Sequence, residues 1–176
     1  MKTLSAFALA GILAATPLLA EVDDADRTAI AEAFDTLISD LENGNYENMI
    51  DNMPPAILEM MAAQAGGDLE TLKPMIAQQM GAVLEQAEII EFTYDIDGAT
   101  TGTSEEGRDY AIVPTDTITG IGEQKMQTVG STLALEDGDK WYLVRMETPQ
   151  HSAMIGQLYP DLAGLEYDET VITPVE

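Results

Sequence analysis

The chain has no cysteine, which excludes disulfides, thiolate metal sites and cysteine nucleophiles together. Cations are scarce, with seven Lys and Arg against 32 Asp and Glu and a formal net charge of −25. A surface of that sign repels nucleic acid and anionic lipid headgroups, so neither is expected as a partner. The acids are spread along the chain without an acidic block, as solubility in a salty medium would favour. The chain holds one histidine, His151, in "PQHSAM", and no G-x-S-x-G, so a nucleophile–histidine pair finds no support. Phosphate-cradling glycine patterns are missing as well: "TGIGEQK" has neither a G-K-[ST] step nor a helix to follow. No cofactor is expected.

What is present begins with "MKTLSAFALAGILAATPLLA". Lys2 gives a positive start, Leu4 to Ala15 an apolar run, and Pro17 precedes the small residue Ala20, the layout of a cleaved export signal. The run is shorter than the ~20 apolar residues that a membrane span needs. The expectation is a signal at 1–20, a cut between Ala20 and Glu21, a periplasmic or secreted location, and no membrane attachment afterwards. Residues 21–176 are read as one domain, large enough for a core of its own.

Along that domain the period changes once. In "DDADRTAIAEAFDTLISDLENGN", Ile30, Phe34, Leu37, Ile38 and Leu41 recur at helical steps, acids lead, and Asn43-Gly44-Asn45 stops the helix. A short helix is expected over 46–52. Another opens after Pro54-Pro55 and ends at Gly66-Gly67. A fourth, capped by Asp68, is expected from Leu69 to about Ala87 with Leu72, Ile76, Met80, Val83 and Leu84 on one face. Then "EIIEFTYDID", "DYAIVPTDTIT", "EQKMQTVGSTLALE" and "KWYLVRME" read as strands, with "GATTGTSEEG" a loop and Asp137-Gly138-Asp139 a hairpin. A helix is expected over 150–159, then a largely irregular tail at about 160–176 with a short strand near 170–173. Helices followed by an antiparallel meander make an α+β fold, with the N-terminal helices packed on the sheet.

The long opening helix, the passage "LENGNYENMIDNMPP" and the closing hairpin "LALEDGDKWYLVRME" resemble the NTF2-like (SnoaL-like, cystatin-type) superfamily, in the manner of small secreted bacterial proteins. The likeness covers roughly Asp23 to Glu147. It implies a curved, cone-shaped sheet wrapped around a long helix and enclosing a cavity. Phe34, Met61, Tyr110, Ile112 and Trp141 are the expected lining. The partner such a cavity implies is a small hydrophobic ligand or another protein, and sheets of this kind also pair into homodimers. Some members of the family use a cavity aspartate as general base in isomerisation or dehydration.

Three candidate chemistries follow. The nine methionines beyond the expected export signal, in a thiol-free chain, raise copper(I), but Met49, Met53, Met60, Met61, Met75 and Met80 are spaced four, seven, one, fourteen and five apart. Those spacings suit core or pocket wall better than a thioether cluster, and no metal is assigned. "TYDIDGATTGTSEE" fails as a calcium loop: with Gly98 sixth, Thr93 stands first and Ser104 twelfth. Asp116 shares parity with Tyr110, Ile112 and Ile118, and Arg145 with Trp141 and Leu143, so this acid and cation are weak catalytic candidates if both face the cavity. Against that, Pro114 favours a bulge or an edge strand, which would turn Asp116 outward.

The export reading has a direct check. Produced in a bacterium with a periplasm, the protein should begin at Glu21 by intact mass; a periplasmic species that still carries Met1–Ala20 would refute the assignment.

Overall fold

The computed structural model describes residues 22–84 and 87–175, so the export signal expected at 1–20 and its expected cut lie outside the described residues. Four helices come first: α1 Asp24–Asn43, α2 Tyr46–Asp51, α3 Pro55–Ala65 and α4 Leu69–Leu84. Six antiparallel strands follow: β1 Glu88–Tyr94, β2 Thr100–Thr103, β3 Asp109–Ile121, β4 Gln124–Asp137, β5 Lys140–Arg145 and β6 Val171–Val175. Between β5 and β6 lie α5 Pro149–Leu158 and a 3₁₀ turn, Pro160–Leu162. The sheet curls into a half-barrel, the α+β arrangement that the change of period foretells.

The helix ends are set locally. Asp23 and Asp26 form a capping box: the Asp23 carboxylate accepts from the amides of Ala25 and Asp26, and Asp26 accepts from the Asp23 amide. The Asp26 amide, then that of Ala25, holds the Asp23 carboxyl below its usual range. Gly44 ends α1 at φ 68°, a conformation that costs glycine least.

The sheet is built on one long hairpin. β3 and β4 pair without interruption from Tyr110↔Leu135 to Ile121↔Gln124. The free edge of β3 is shared by β2, opposite residues 109–112, and β1, opposite residues 115–120. The free edge of β4 is shared by β5, opposite residues 132–137, and β6, opposite residues 125–129. "GATTGTSEEG", read from the sequence as a loop, therefore contains a strand. The tail contains β6, longer than the short strand expected there.

Pro114 does not break the register. Its carbonyl accepts the Asp95 amide at 3.0 Å, so its nitrogen, on the same side of the strand, faces the gap between the end of β1 and the start of β2. No ladder partner waits there for an N–H, and the proline is tolerated inside a central strand. The irregularity falls in β1 instead, between Ile89 and Glu91.

The two faces of the hairpin are covered by different elements. Against α1 pack Ala111, Val113, Ala134 and Trp141 with Ile30, Phe34 and Val22. Phe34 stacks on Tyr94 at 4.4 Å between ring centroids, and Phe92 lies 6.3 Å away. On the other face, Ile112, Leu133, Leu135, Val144 and Met146 pack under Ile155, Tyr159, Leu162 and Ile57. Ser131, Thr132, Leu133, Ala134 and Leu135 are consequently buried in succession, the pattern of a strand covered on both sides.

The second cover is fastened by Arg108. Its Nε donates to Asp161 Oδ2 at 3.0 Å, its Nη1 to the Glu136 carbonyl at 2.6 Å, and its guanidinium lies 4.8 Å from the Tyr159 ring centre. Ser104 Oγ donates to the same Asp161 oxygen, and Tyr159 Oη donates to Asp137. Burial, then the bond to Asp137, pushes the Tyr159 hydroxyl well above its usual range. The Asp161 side chain is only 2% exposed. Arg108→Met should therefore destabilise the fold by about 3 kcal/mol or more, the usual result of leaving one buried charge alone. Adding Asp161→Leu should restore part of that loss. Urea unfolding of the single and double variants measures both, and a single variant within experimental error of the parent would contradict this role.

Candidate functional site

The cleft lies on the α1 face of the sheet, where the helices stand away from the strands. Ala29, Ala33, Leu37 and Asp40 fall on one side of α1 at steps of four, four and three. α2 contributes Met49, the turn after it Asn52 and Met53, and α4 contributes Met80. β5 contributes Trp141, Leu143 and Arg145, which alternate along the strand and so share a face. The space they enclose is about 420 Å³. A second chamber of about 490 Å³ adjoins it, sharing Leu37, Met49, Met80 and Arg145 and extending to Ile76, Leu84, Ile89 and Phe92. Space exists here because Ala29 and Ala33 carry so little side chain where Ile30 and Phe34, on the next face of the helix, fill the core.

The polar groups on this wall differ in how well they are partnered. Lys140 Nζ donates to Asn52 Oδ1 at 2.7 Å and lies 5.0 Å from the Tyr142 ring centre. Arg145 pairs with Glu147 at 2.9 Å, both side chains partly exposed. Asp40 is 5% exposed, and its Oδ1 accepts from the side-chain amides of Asn45 and Asn48 at 3.3 Å. Its Oδ2 is buried and has no hydrogen-bond partner among the described residues.

The residues singled out in the sequence scatter. Trp141 and Arg145 line the cleft. Phe34 is fully buried in the core of the same face. Tyr110, Ile112 and Met61 belong to the opposite core, under α5 and the 3₁₀ turn. Asp116 keeps its parity with Ile112, so it too lies on the face away from the cleft, where it accepts from Gln127 Nε2 at 2.6 Å. Asp116 and Arg145 therefore cannot pair: the unbroken β3–β4–β5 register puts them on opposite sides of the sheet. Val83, expected on the packed face of α4, is exposed at the rim of the second chamber.

Among the methionines, Met49, Met53 and Met80 line the cleft, Met61 packs in the core and Met75 is exposed. Among the described residues, no group of three or more His, Asp or Glu is placed to hold a metal ion. In "TYDIDG" the strand β1 ends at Tyr94 and a polar turn follows, in which Asp95 accepts the Gly98 amide. His151 Nδ1 accepts the Glu147 amide at 3.3 Å at the start of α5.

Asp40 is the residue that reading the sequence missed. The signal was there, since Asp40 falls three residues after Leu37 and next to Leu41, inside the span of the apolar stripe. Compared with protein families, curated proteins and solved structures, the chain matches none.

Proposed function

We propose that the chain is an exported, non-catalytic binding protein of NTF2-like build that takes a small hydrophobic ligand in the cleft between α1, α2, α4 and β5. One observation carries this reading: a partly open space of about 420 Å³ whose accessible wall is mostly apolar, through alanine, leucine, methionine and Trp141, with seven of its fifteen residues polar or charged. Small-molecule sites have this size and this mixture. Methionine suits such a wall, because its flexible, polarisable thioether adapts to ligands of different shape. The order of elements and the curl of the sheet support the family resemblance. The high negative charge disfavours nucleic acid and anionic membranes as partners.

An isomerase or hydratase working through a cavity carboxylate at Asp116 gains no support from this geometry, because Asp116 faces away from the cleft. Association of two copies has one observation in its favour. Val129 and Val171, paired across β4 and β6, are 44% and 55% exposed on the outer face.

Nile red, a neutral dye whose emission shifts blue in apolar sites, tests the reading. The protein should bind it saturably at one equivalent. Ala33→Trp, which fills the cleft, should weaken binding at least tenfold, while Ile118→Trp on the outer face should leave it unchanged. Far-UV circular dichroism checks that each variant is folded, and Ala29→Phe serves as a second filling variant. Unchanged dye binding in both filling variants would place the site elsewhere.

A further inference from the structure

We infer that the ligand of this cleft carries a cationic amine head, received by Asp40 while its apolar body lies among the methionines and Trp141. The inference rests on the cleft being the binding site, and adds the chemistry of the head group. Its basis is an imbalance among the polar groups on the wall. Asp40 is 5% exposed and holds one oxygen, Oδ2, without a hydrogen-bond partner among the described residues. A buried carboxylate oxygen without a donor is costly, and an N–H group from a ligand removes that cost. Asn45 and Asn48 already hold Oδ1, which fixes the carboxylate and leaves its other oxygen to be served.

The cations on the wall do not supply that donor. Lys140 is engaged by Asn52 and the Tyr142 ring, and Arg145 by Glu147. Neither forms an ion pair with Asp40. An anionic head would have to draw Lys140 or Arg145 from its present partner and enter a protein of net charge −25. A cationic head meets an attractive field on approach, and the Asp40 carboxylate in the wall has one oxygen without a partner among the described residues. Glu32 and Asp139, which also line the cleft, act in the same direction. The apolar remainder of the ligand then has Ala33, Leu37, Met49, Met53 and Met80 to lie against.

Displacement of Nile red by three ligands of one chain length isolates the head group: decylamine, protonated at neutral pH, decanol and decanoate. In the parent protein decylamine should displace the dye at a concentration at least tenfold below that of decanol, with decanoate the weakest. Asp40→Asn, which keeps the shape of the side chain, should bring decylamine to within about twofold of decanol. The same comparison on the parent protein in 0.5 M NaCl needs no variant. Surface attraction is screened there, whereas preference due to a buried partner persists. The inference is overturned if decylamine is no better than decanol, if its advantage survives Asp40→Asn or vanishes in salt, or if decanoate binds best. Failure of Nile red to bind at all would overturn the cleft reading itself, and this inference with it.

Discussion

The fold depends on a single constraint: half of the β3–β4 hairpin is buried on both faces. Ser131 to Leu135 run through the centre of the protein without an exposed residue, so each face needs its own cover. α1 supplies one, through Ile30 and Phe34. α5 and the 3₁₀ turn supply the other, through Ile155, Tyr159 and Leu162. Burying side chains of this size is worth roughly 2 kcal/mol each, so neither cover is dispensable in a domain stable by about 10 kcal/mol. The other half of the hairpin is covered less completely, and its outer face carries Asp116 and Val129. The cleft exists because α1 is fastened firmly at its Phe34 level and turns alanines to the strands nearby.

Electrostatics act on this frame mainly at its joints. With few cations against 32 acids, where each cation sits matters. Arg27 donates from α1 to the Ile96 carbonyl beyond β1 at 2.9 Å. Lys73 of α4 meets Asp51 of α2 at 2.6 Å, and Lys140 of β5 reaches Asn52. Arg108 ties the start of β3 to the C-terminal segment. Exposed pairs such as Lys73–Asp51 are screened by solvent and contribute little, whereas the Arg108–Asp161 pair is shielded and its loss strands a charge. The remaining acids repel one another, a penalty that salt reduces. A cation-poor sequence thus places several of its cations where two elements meet.

Much of this was legible in residues whose effect is local. The acids ahead of α1, Gly44 after it, and Gly138 in the β4–β5 turn act through their own backbone, and a linear reading finds them. β2 was not legible, because "TTGT" is short and acquires strand geometry only by pairing with residues 109–112. Pro114 misled for a similar reason: proline is forbidden where a ladder needs its N–H, and only the topology reveals that β1 and β2 leave a gap there. Parity along β3 was read correctly, but parity says which residues share a face and not what covers it. Tyr110 and Ile112 were assigned to a cavity when α5 had already claimed them for the core. Asp40 went unnoticed, because a charge inside an apolar stripe shows its burial only once the elements packed against it are known.

What keeps the cleft from collapsing onto its own methionines follows from the same packing. α2 and α4 approach one another closely at Gly81, where a Cβ would lie 2.9 Å from the Tyr46 ring, and Lys73–Asp51 joins the same two helices. These helices therefore form one wall, and closing the space would mean moving both toward β5. Asp40 stands in the cleft wall, its Oδ2 already buried without a hydrogen-bond partner among the described residues. The Asn45 and Asn48 amides hold that carboxylate in place, so it cannot swing out to water without losing two hydrogen bonds. The "MPPAILEMMAAQ" stretch shows the division of labour. Met53 reaches both the cleft and the core, Ile57 and Met61 seal α3 onto the core alone, and the Pro54-Pro55 step between them sets the angle that separates the two roles. A buried acid held in place, on a wall of side chains that adapt, is what the proposed ligand site rests on.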